Sequence, residues 1–370
     1  MQRKMRRLVM AAIGSLALLA TAAHADPKGL RTGKVELKSA GPLTFGPDAV
    51  LFVGDSLDGS IVALATSDTK PGKSATTDIK AVNEKIAALL GTTADQILIN
   101  DAVVNPLSKS VYLSVMRGRG PEAQPVILRT NGKGELEELR LDNIAHARAA
   151  LPNAPEAGKK DPRGRDLRVE AITDIEFAAG HVIVAGLSNE EFSSNLRSIP
   201  YPFANVDQGS SVEIYHGAHG RYETNSPVRT FVSYNIEGKP HILAAYTCTP
   251  LVKFQLSDLR PGNKVMGTTI AELGNRNRPL DMIIYRKGAA AGKEFILMNN
   301  SSRGVMKMST QGIGNYEAIT ARVPETAGLP YETLADLKGV EQLDRWDDAT
   351  AMLLVRDESG SMDIRSLALP

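Results

Sequence analysis

A unit of three or four short apolar strands recurs along this chain, at intervals of roughly fifty residues. Its clearest copy covers residues 43–64, LTFGPDAVLFVGDSLDGSIVAL. The turn sequences Gly46-Pro47-Asp48 and Asp55–Gly59 separate apolar runs rich in β-branched residues, which predicts three strands joined by tight turns. Six such units indicate β-sheets that repeat radially or in a stack.

The sixth unit and one unpaired strand indicate a closed ring. That unit lacks a fourth strand, and the isolated alternating segment Lys34–Ser39 is free to supply it. A ring closed in this way has no exposed sheet edges. We therefore predict an all-β fold, a six-bladed β-propeller closed by an N-terminal strand. A pair of β-sandwiches is the alternative, but it does not explain the repeat spacing. The first strands of the later units are predicted at or near Ile97–Ile99, Ile172–Phe177, Val228–Tyr234, Met282–Tyr285 and Glu341–Trp346.

One segment has helical periodicity. Asp78–Leu90, DIKAVNEKIAALL, places apolar residues on one side, and Gly91 ends the pattern. It predicts one short helix inserted on the outside of the β-structure.

The first 25 residues have the three parts of a secretory signal peptide. A basic start is followed by the apolar run Leu8–Leu19 and by Ala23-His24-Ala25, an A-x-A cleavage site. The apolar run is too short to span a bilayer comfortably. We therefore expect a signal peptide over residues 1–25, cleaved after Ala25, and a single propeller domain over residues 26–370. The expected location is the periplasm or the outside of the cell, with no membrane span in the mature chain.

Charge and cysteine content restrict the partners further. The formal net charge is +1, and removal of residues 1–25, which hold four basic and no acidic residues, leaves −3. This balance argues against nucleic acid as a partner. Cys248 is the only cysteine, so no intrachain disulfide can form, and a free, buried thiol is expected.

The first unit resembles blades of known propellers. Phe45-Gly46-Pro47-Asp48, Leu51-Phe52-Val53, Asp55, Gly59 and Ile61 are similar to blades of bacterial extracytoplasmic propellers of the NHL, YVTN and gluconolactonase-like kinds. The resemblance covers mainly this unit, and it implies the propeller fold. These families include lactonases, dehydrogenases and binding modules, so it does not select a function.

Four aspartates stand at or near the beginning of a predicted innermost strand, where units one and four have Thr44 and Thr230. Innermost strands line the channel of a propeller, so these carboxylates are expected to lie near one mouth. One interpretation is a site for a divalent cation such as Ca²⁺. The other is a structural latch in which each aspartate accepts backbone N–H groups of the neighbouring blade. The four are Asp101, Asp174, Asp281 and Asp344.

Loops that enter the first strand and loops between the second and third strands lie on one face of a propeller, and we predict that this face binds ligand. The arginines on this face could bind an anionic group of a ligand; the alternative is that they pair with acidic residues on the same face. His216 and His219, with Cys248 or a channel aspartate, suit Zn²⁺ or Cu²⁺; the alternative is a pair of hydrogen-bonded loop residues. The predicted face contains Arg117, Arg119, His216, His219, Arg276, Arg278, Asn299, Asn300 and Arg303.

Two functions fit these features. The first is a secreted or periplasmic binding module for a small molecule or a periplasmic protein. The alternative is a metal-dependent hydrolase or lactonase with a divalent cation at the channel mouth, for which Asp281, Asn299, Asn300 and His216 are the first candidate ligands and acid–base groups. A quinone-type oxidoreductase or a dehydrogenase accessory protein is a weaker idea, because no haem, phosphate-loop or other cofactor motif occurs.

Overall fold

The strands of this protein form six sheets arranged around a central channel. A computed structural model describes residues 29–72, 78–131, 133–248, 250–288 and 292–370. The protein is mainly β-structure and is a six-bladed β-propeller, as the repeat predicts. The predicted signal peptide over residues 1–25 lies outside the described residues.

The first three blades contain the strands before residue 224, and the helix α1 precedes the strands of blade 2. In chain order these elements are β1 (Arg31–Gly33), β2 (Leu43–Phe45), β3 (Val50–Asp55), β4 (Ser60–Ala65), α1 (Val82–Leu90), β5 (Ile97–Val104), β6 (Val111–Arg117), β7 (Gln124–Thr130), β8 (Leu136–Glu138), β9 (Ile144–Ala150), β10 (Asp174–Ala178), β11 (His181–Leu187), β12 (Ser194–Pro200), β13 (Ser210–His216) and β14 (Arg221–Glu223).

The last three blades follow. Their strands are β15 (Thr230–Ile236), β16 (Lys239–Ala245), β17 (Pro250–Gln255), β19 (Thr268–Leu273), β20 (Pro279–Lys287), β21 (Lys293–Asn300), β22 (Gly304–Ser309), β23 (Thr326–Gly328), β24 (Glu332–Leu334), β25 (Val340–Arg345), β26 (Thr350–Arg356) and β27 (Met362–Ala368). The short strand β18 (Lys264–Met266) lies between β17 and β19 in the chain, but it pairs in parallel with β13 and so belongs to blade 3. Short 3₁₀ turns lie at Pro47–Ala49, Ala94–Gln96, Gly120–Glu122, Leu167–Glu170, Leu256–Asp258 and Ile313–Asn315.

The blades do not follow chain order around the ring. Contacts between the innermost strands give the order blade 1, 3, 4, 5, 6, 2 and back to blade 1. The chain completes blade 2 with β8 and then returns to blade 1, where β9 pairs with β4 as a fourth strand. Blade 3 then starts on the other side of blade 1. Apolar clusters fill each interface between neighbouring blades, and Phe52 of blade 1 stacks on Phe177 of blade 3 with ring centroids 5.5 Å apart.

The ring is not closed by the predicted N-terminal strand. Residues 34–39 form no strand, because the backbone N–H groups of Lys38 and Ser39 each donate a 2.8 Å hydrogen bond to the Asp55 carboxylate and tie the segment to blade 1. The preceding strand β1 pairs with β9 on the outer edge of the same blade.

Blade 6 receives its outer neighbour from the segment before α1. The N–H of Ile79 donates to the Ile364 carbonyl at 2.9 Å, and the N–H of Ile364 donates back at 2.8 Å. Asp78 accepts a 2.8 Å hydrogen bond from the N–H of Ser366 and so does not cap the helix. The helix therefore begins later than predicted, at Val82, and it ends at Gly91, whose φ of 65° suits a glycine cap. Among the described residues, no helix has the length and apolarity needed to cross a bilayer.

Candidate functional site

The four predicted aspartates join neighbouring blades inside the channel. One oxygen of each carboxylate accepts a backbone N–H from the next blade, and the other accepts the N–H of the residue that follows it in the chain. This is the geometry that the latch interpretation describes. The contacts between blades are Asp101 to Leu43 at 2.7 Å, Asp174 to Phe231 at 2.8 Å, Asp281 to Leu343 at 2.9 Å and Asp344 to Val104 at 2.7 Å.

Thr44 continues the series in blade 1, since its hydroxyl accepts the N–H of Phe177 in blade 3 at 3.2 Å. These five contacts all run in the same direction around the ring, each from one blade to the next. Both oxygens of every aspartate are used in this way, so the cation interpretation of these four residues stays a prediction.

Burial raises the pKa of these carboxyl groups although the latch hydrogen bonds favour their charged form. The pKa reaches about 8 for Asp174, about 7 for Asp101 and about 6 for Asp344. For Asp281, burial and then the charges of Asp101 and Asp174 hold the pKa well above its usual value. The channel therefore resists full ionisation of its aspartates at neutral pH.

A cavity of about 720 Å³ extends along the channel from these aspartates. Its other end is lined by Lys109, Asp347 and Asp348, which lie in the turns between the first and second strands of blades 2 and 6. The cavity therefore reaches toward the face opposite the predicted ligand face.

The loops predicted to share a face meet in blades 4 and 5. The N–H of Ser301 donates to the Arg278 carbonyl at 2.9 Å, and the N–H of Arg278 donates to the Ser301 hydroxyl at 3.0 Å. Asn277 donates to the side chain of Asn300 at 2.9 Å, and the N–H of Cys248 donates to the Asn277 carbonyl at 2.8 Å. Cys248 is a free thiol, partly exposed rather than buried as expected, because it lies in this surface turn with a φ of 64°.

Several residues predicted for this face are occupied within the protein. Arg119 donates to the Asp95 carbonyl at 2.9 and 2.7 Å, and Arg303 donates to the Asn275 carbonyl at 3.4 Å. Asn299 donates to the Val340 carbonyl at 2.9 Å, across the interface with blade 6. These partners are backbone carbonyls, not the acidic side chains that the alternative required.

Three arginines of the predicted face remain available. Within the part of the chain that the structure describes, the guanidinium groups of Arg117, Arg276 and Arg278 have no hydrogen-bond or ion-pair partner, and the latter two are exposed. Burial of part of the Arg278 side chain and, next, the charge of Arg229 lower the pKa of its guanidinium. The charge of Glu170 opposes this effect and that of Arg165 adds to it, so the three arginines lie close enough together to act on one another.

We call Arg165, Arg229 and Arg278 the arginine patch. Two of its members are paired, Arg229 with Glu170 at 2.5 Å and Arg165 with Asp161 at 2.7 Å, and Arg278 is not. The sequence interpretation missed Arg165 and Arg229. A signal for Arg229 was present, because it immediately precedes an innermost strand, as Arg278 does.

His216 and His219 lie on the β13–β14 hairpin at the outer edge of blade 3. Their Nδ1 atoms contact the two carboxylate oxygens of Glu223 at 3.0 and 2.7 Å. The third member predicted for this group was Cys248 or a channel aspartate. The structure brings Glu223 there instead, because the hairpin pairs Glu223 with Ile214, two residues before His216 and on the same face of the strand. Burial opposes ionisation of Glu223, but the hydrogen bonds from both histidines hold its pKa below the usual range.

Comparisons with known proteins show what the chain is similar to. No family model and no curated protein matches the chain. Among solved structures it is similar to a glucose dehydrogenase (13% identity, 92% of this chain and 100% of that chain, TM-score 0.37). It is also similar to the PQQ-bound aldose sugar dehydrogenase of Streptomyces coelicolor (10% identity, 91% of this chain and 96% of that chain, TM-score 0.31). A third similar structure is a gluconolactonase of Xanthomonas campestris (10% identity, 96% of this chain and 94% of that chain, TM-score 0.30). The predicted resemblance to gluconolactonase-like propellers is confirmed as a resemblance. It carries no statement about activity, and the fold follows from the strand pairing described above.

Proposed function

We propose that this protein is an exported binding module whose loop face captures a ligand or protein segment through an anionic group. The observation that carries the proposal is the Arg278 guanidinium. It is exposed at the entry to the innermost strand of blade 5 and has no side-chain partner among the described residues.

The surroundings of Arg278 favour an anion. Arg229 and Arg165 stand near it. Asp161 pairs with Arg165, and Glu170 pairs with Arg229 and also acts on Arg278, where its charge opposes the lowering of the pKa. Three guanidinium groups thus share two carboxylates. A carboxylate or phosphate that arrives from solution removes the repulsion among the arginines and forms a bidentate, charge-assisted pair with the guanidinium.

The position of Arg278 is held by the loop that carries it. Reciprocal hydrogen bonds between Arg278 and Ser301 join the loop that enters blade 5 to the second-to-third-strand loop of the same blade. A side chain on a loop fixed at two points loses less freedom on binding, which favours affinity.

The geometry favours the binding module over the hydrolase. Of the residues first proposed for hydrolysis, His216 lies apart from the other three. Asp281 and Asn299 are neighbours on paired strands, but both hydrogen-bond to blade 6, whereas His216 lies at the outer edge of blade 3. The observation that still favours a cation-dependent hydrolase is the cavity beside four aspartates of raised pKa.

The test is a thermal-shift titration of the mature protein with citrate and with inorganic phosphate, against sodium chloride at matched ionic strength. A ligand that binds the folded state raises the melting temperature. We expect citrate or phosphate to do so in the wild-type protein and in Arg140→Ala, which removes an exposed arginine that follows the last strand of blade 2. We expect no rise beyond that of chloride in Arg278→Ala. Equal rises in both variants would contradict the proposal.

A further inference from the structure

A second group of chemically active side chains lies away from the arginine patch, on the hairpin that ends blade 3. His216, His219 and Glu223 each offer a ligand atom, and these atoms lie within 4.8 Å of one another. The histidine rings lie side by side, with centroids 3.9 Å apart and planes inclined by 39°. Imidazole and carboxylate groups are the ligands used by Zn²⁺ and by Cu²⁺.

Glu223 fixes how the two rings present their nitrogens. Its carboxylate accepts from both Nδ1 atoms, so each Nδ1 carries the proton and each Nε2 keeps its lone pair. This carboxylate–histidine arrangement is the one that orients histidine ligands at metal sites. Ser226 also donates to Glu223, at 2.9 Å, and so helps to hold the carboxylate in place.

His216 provides an independent observation. The residue is 2% exposed, and its Nε2 atom is buried without a hydrogen-bond partner among the described residues. An unpartnered polar atom in a buried position is unfavourable, because it has given up its hydrogen bonds to water. A bound cation would supply the partner that this nitrogen lacks. His219, whose side chain is 43% exposed, leaves the group open to solvent and therefore to an ion.

The charge of the surroundings also favours a cation. Glu272 reaches over from blade 4, where one oxygen accepts the N–H of Gly217 at 2.6 Å and the other is buried without a partner among the described residues. Two carboxylates thus lie at the hairpin. The cationic side chain that contacts Glu223 is Arg221, which is 71% exposed and 3.3 Å away. Burial raises the pKa of Glu272 to about 7, and a divalent ion nearby would favour its charged form.

We propose that His216 and His219 bind a divalent cation of the zinc class through their Nε2 atoms, with Glu223 as the positioning residue for both rings. This site is independent of the arginine patch and of the channel aspartates. It ties the β13–β14 hairpin into a fixed shape beside blade 4 and presents an ion at the solvent-exposed edge of His219.

Calorimetric titration of untagged mature protein with zinc chloride tests the site, with cobalt substitution as a spectroscopic readout of nitrogen ligation. We expect one bound ion in the wild-type protein. His219→Ala removes a ligand from an exposed position and is expected to lower zinc affinity by more than about 100-fold, because even loss of an orienting partner costs about 10–100-fold.

Two further variants make the test specific. Glu223→Gln is expected to weaken zinc binding by about 10–100-fold. His241→Ala serves as the matched control, since that half-buried histidine lies in blade 4 and its Nδ1 atom contacts the Lys239 carbonyl. Circular dichroism confirms folding of each variant. Failure of the wild-type protein to bind zinc at micromolar concentration, or equal binding by His219→Ala, would overturn the proposal.

Discussion

The Asp101 carboxylate accepts a hydrogen bond of 2.7 Å from the backbone N–H of Leu43, and this contact joins the innermost strands of blades 2 and 1. Equivalent contacts from Asp174, Asp281 and Asp344 join three further pairs of blades. The repeated aspartate therefore has a structural role at every position where it occurs. Three predictions about the stability of the protein follow from this role.

The first prediction concerns loss of a latch. Asp101→Ala leaves the N–H of Leu43 without its acceptor, and we expect it to lower the free energy of unfolding by about 1–3 kcal/mol. Asp101→Asn retains one acceptor oxygen and should lose less. Urea denaturation measures both. The matched control is Asp142→Ala, an exposed aspartate, which should change the free energy by less than about 0.5 kcal/mol. A similar loss in the control would contradict the latch.

The second prediction concerns pH. Burial raises the pKa of Asp174 to about 8 and that of Asp101 to about 7, whereas an aspartate in an unfolded chain has a pKa of about 3.9. Between about pH 4 and pH 8 the folded protein therefore binds more protons than the unfolded chain. The stabilisation that these two groups add to the free energy of unfolding is therefore fully present below about pH 4 and is lost as the pH rises through 8. We expect the urea midpoint to fall from pH 5 to pH 8 and Asp174→Asn to flatten this slope. A midpoint that rises with pH over this range and is unaffected by Asp174→Asn would be inconsistent with the account.

The third prediction separates the latch from a channel cation. If backbone N–H groups occupy the carboxylate oxygens, Ca²⁺ should leave the melting temperature of the mature protein unchanged. The cation interpretation requires a Ca²⁺-dependent rise that Asp281→Asn and Asp174→Asn diminish. Metal analysis of the purified protein, with the two variants beside the wild type, distinguishes these outcomes.

The fourth prediction concerns closure of the ring. Ile79→Pro removes the N–H that donates to the Ile364 carbonyl and disturbs the reciprocal hydrogen bond. Since each hydrogen bond contributes about 1 kcal/mol, we expect the free energy of unfolding to fall by about 2 kcal/mol. Hydrogen exchange should show reduced protection of the Ile364 amide. Ile79→Val keeps the backbone and serves as the control. Unchanged protection of that amide in the proline variant would show that other contacts close the ring.

The fold was predictable because each blade carries local signals. Turns such as Gly46-Pro47-Asp48 and apolar runs such as Val50–Gly54 specify hairpins within a few residues. Strand β9, Ile144–Ala150, escaped prediction, because its sequence IAHARAA is rich in alanine and has low strand propensity. It is a strand because the exposed edge of β4 pairs with it. Such pairing depends on ring order, which local sequence does not encode.

The candidate site was predictable in part. Strand position identified Arg278 and the channel aspartates, since equivalent residues of repeats occupy equivalent places. Glu223 was missed, although hairpin register across the Gly217–Gly220 turn brings it back to His216. Arg165 lies in a long irregular loop, and its approach to Arg278 depends on how blades 3 and 5 are arranged around the ring.

The most direct measurement of the proposed function is the dissociation constant of the anion that gives the larger thermal shift, by titration calorimetry at fixed ionic strength. A charge-assisted hydrogen bond contributes about 1.5–3 kcal/mol, so we predict that Arg278→Ala weakens binding by about 10- to 100-fold. Arg140→Ala is predicted to bind as the wild type does. Equal affinity of Arg278→Ala and the wild-type protein would contradict the assignment of the loop face as the binding site.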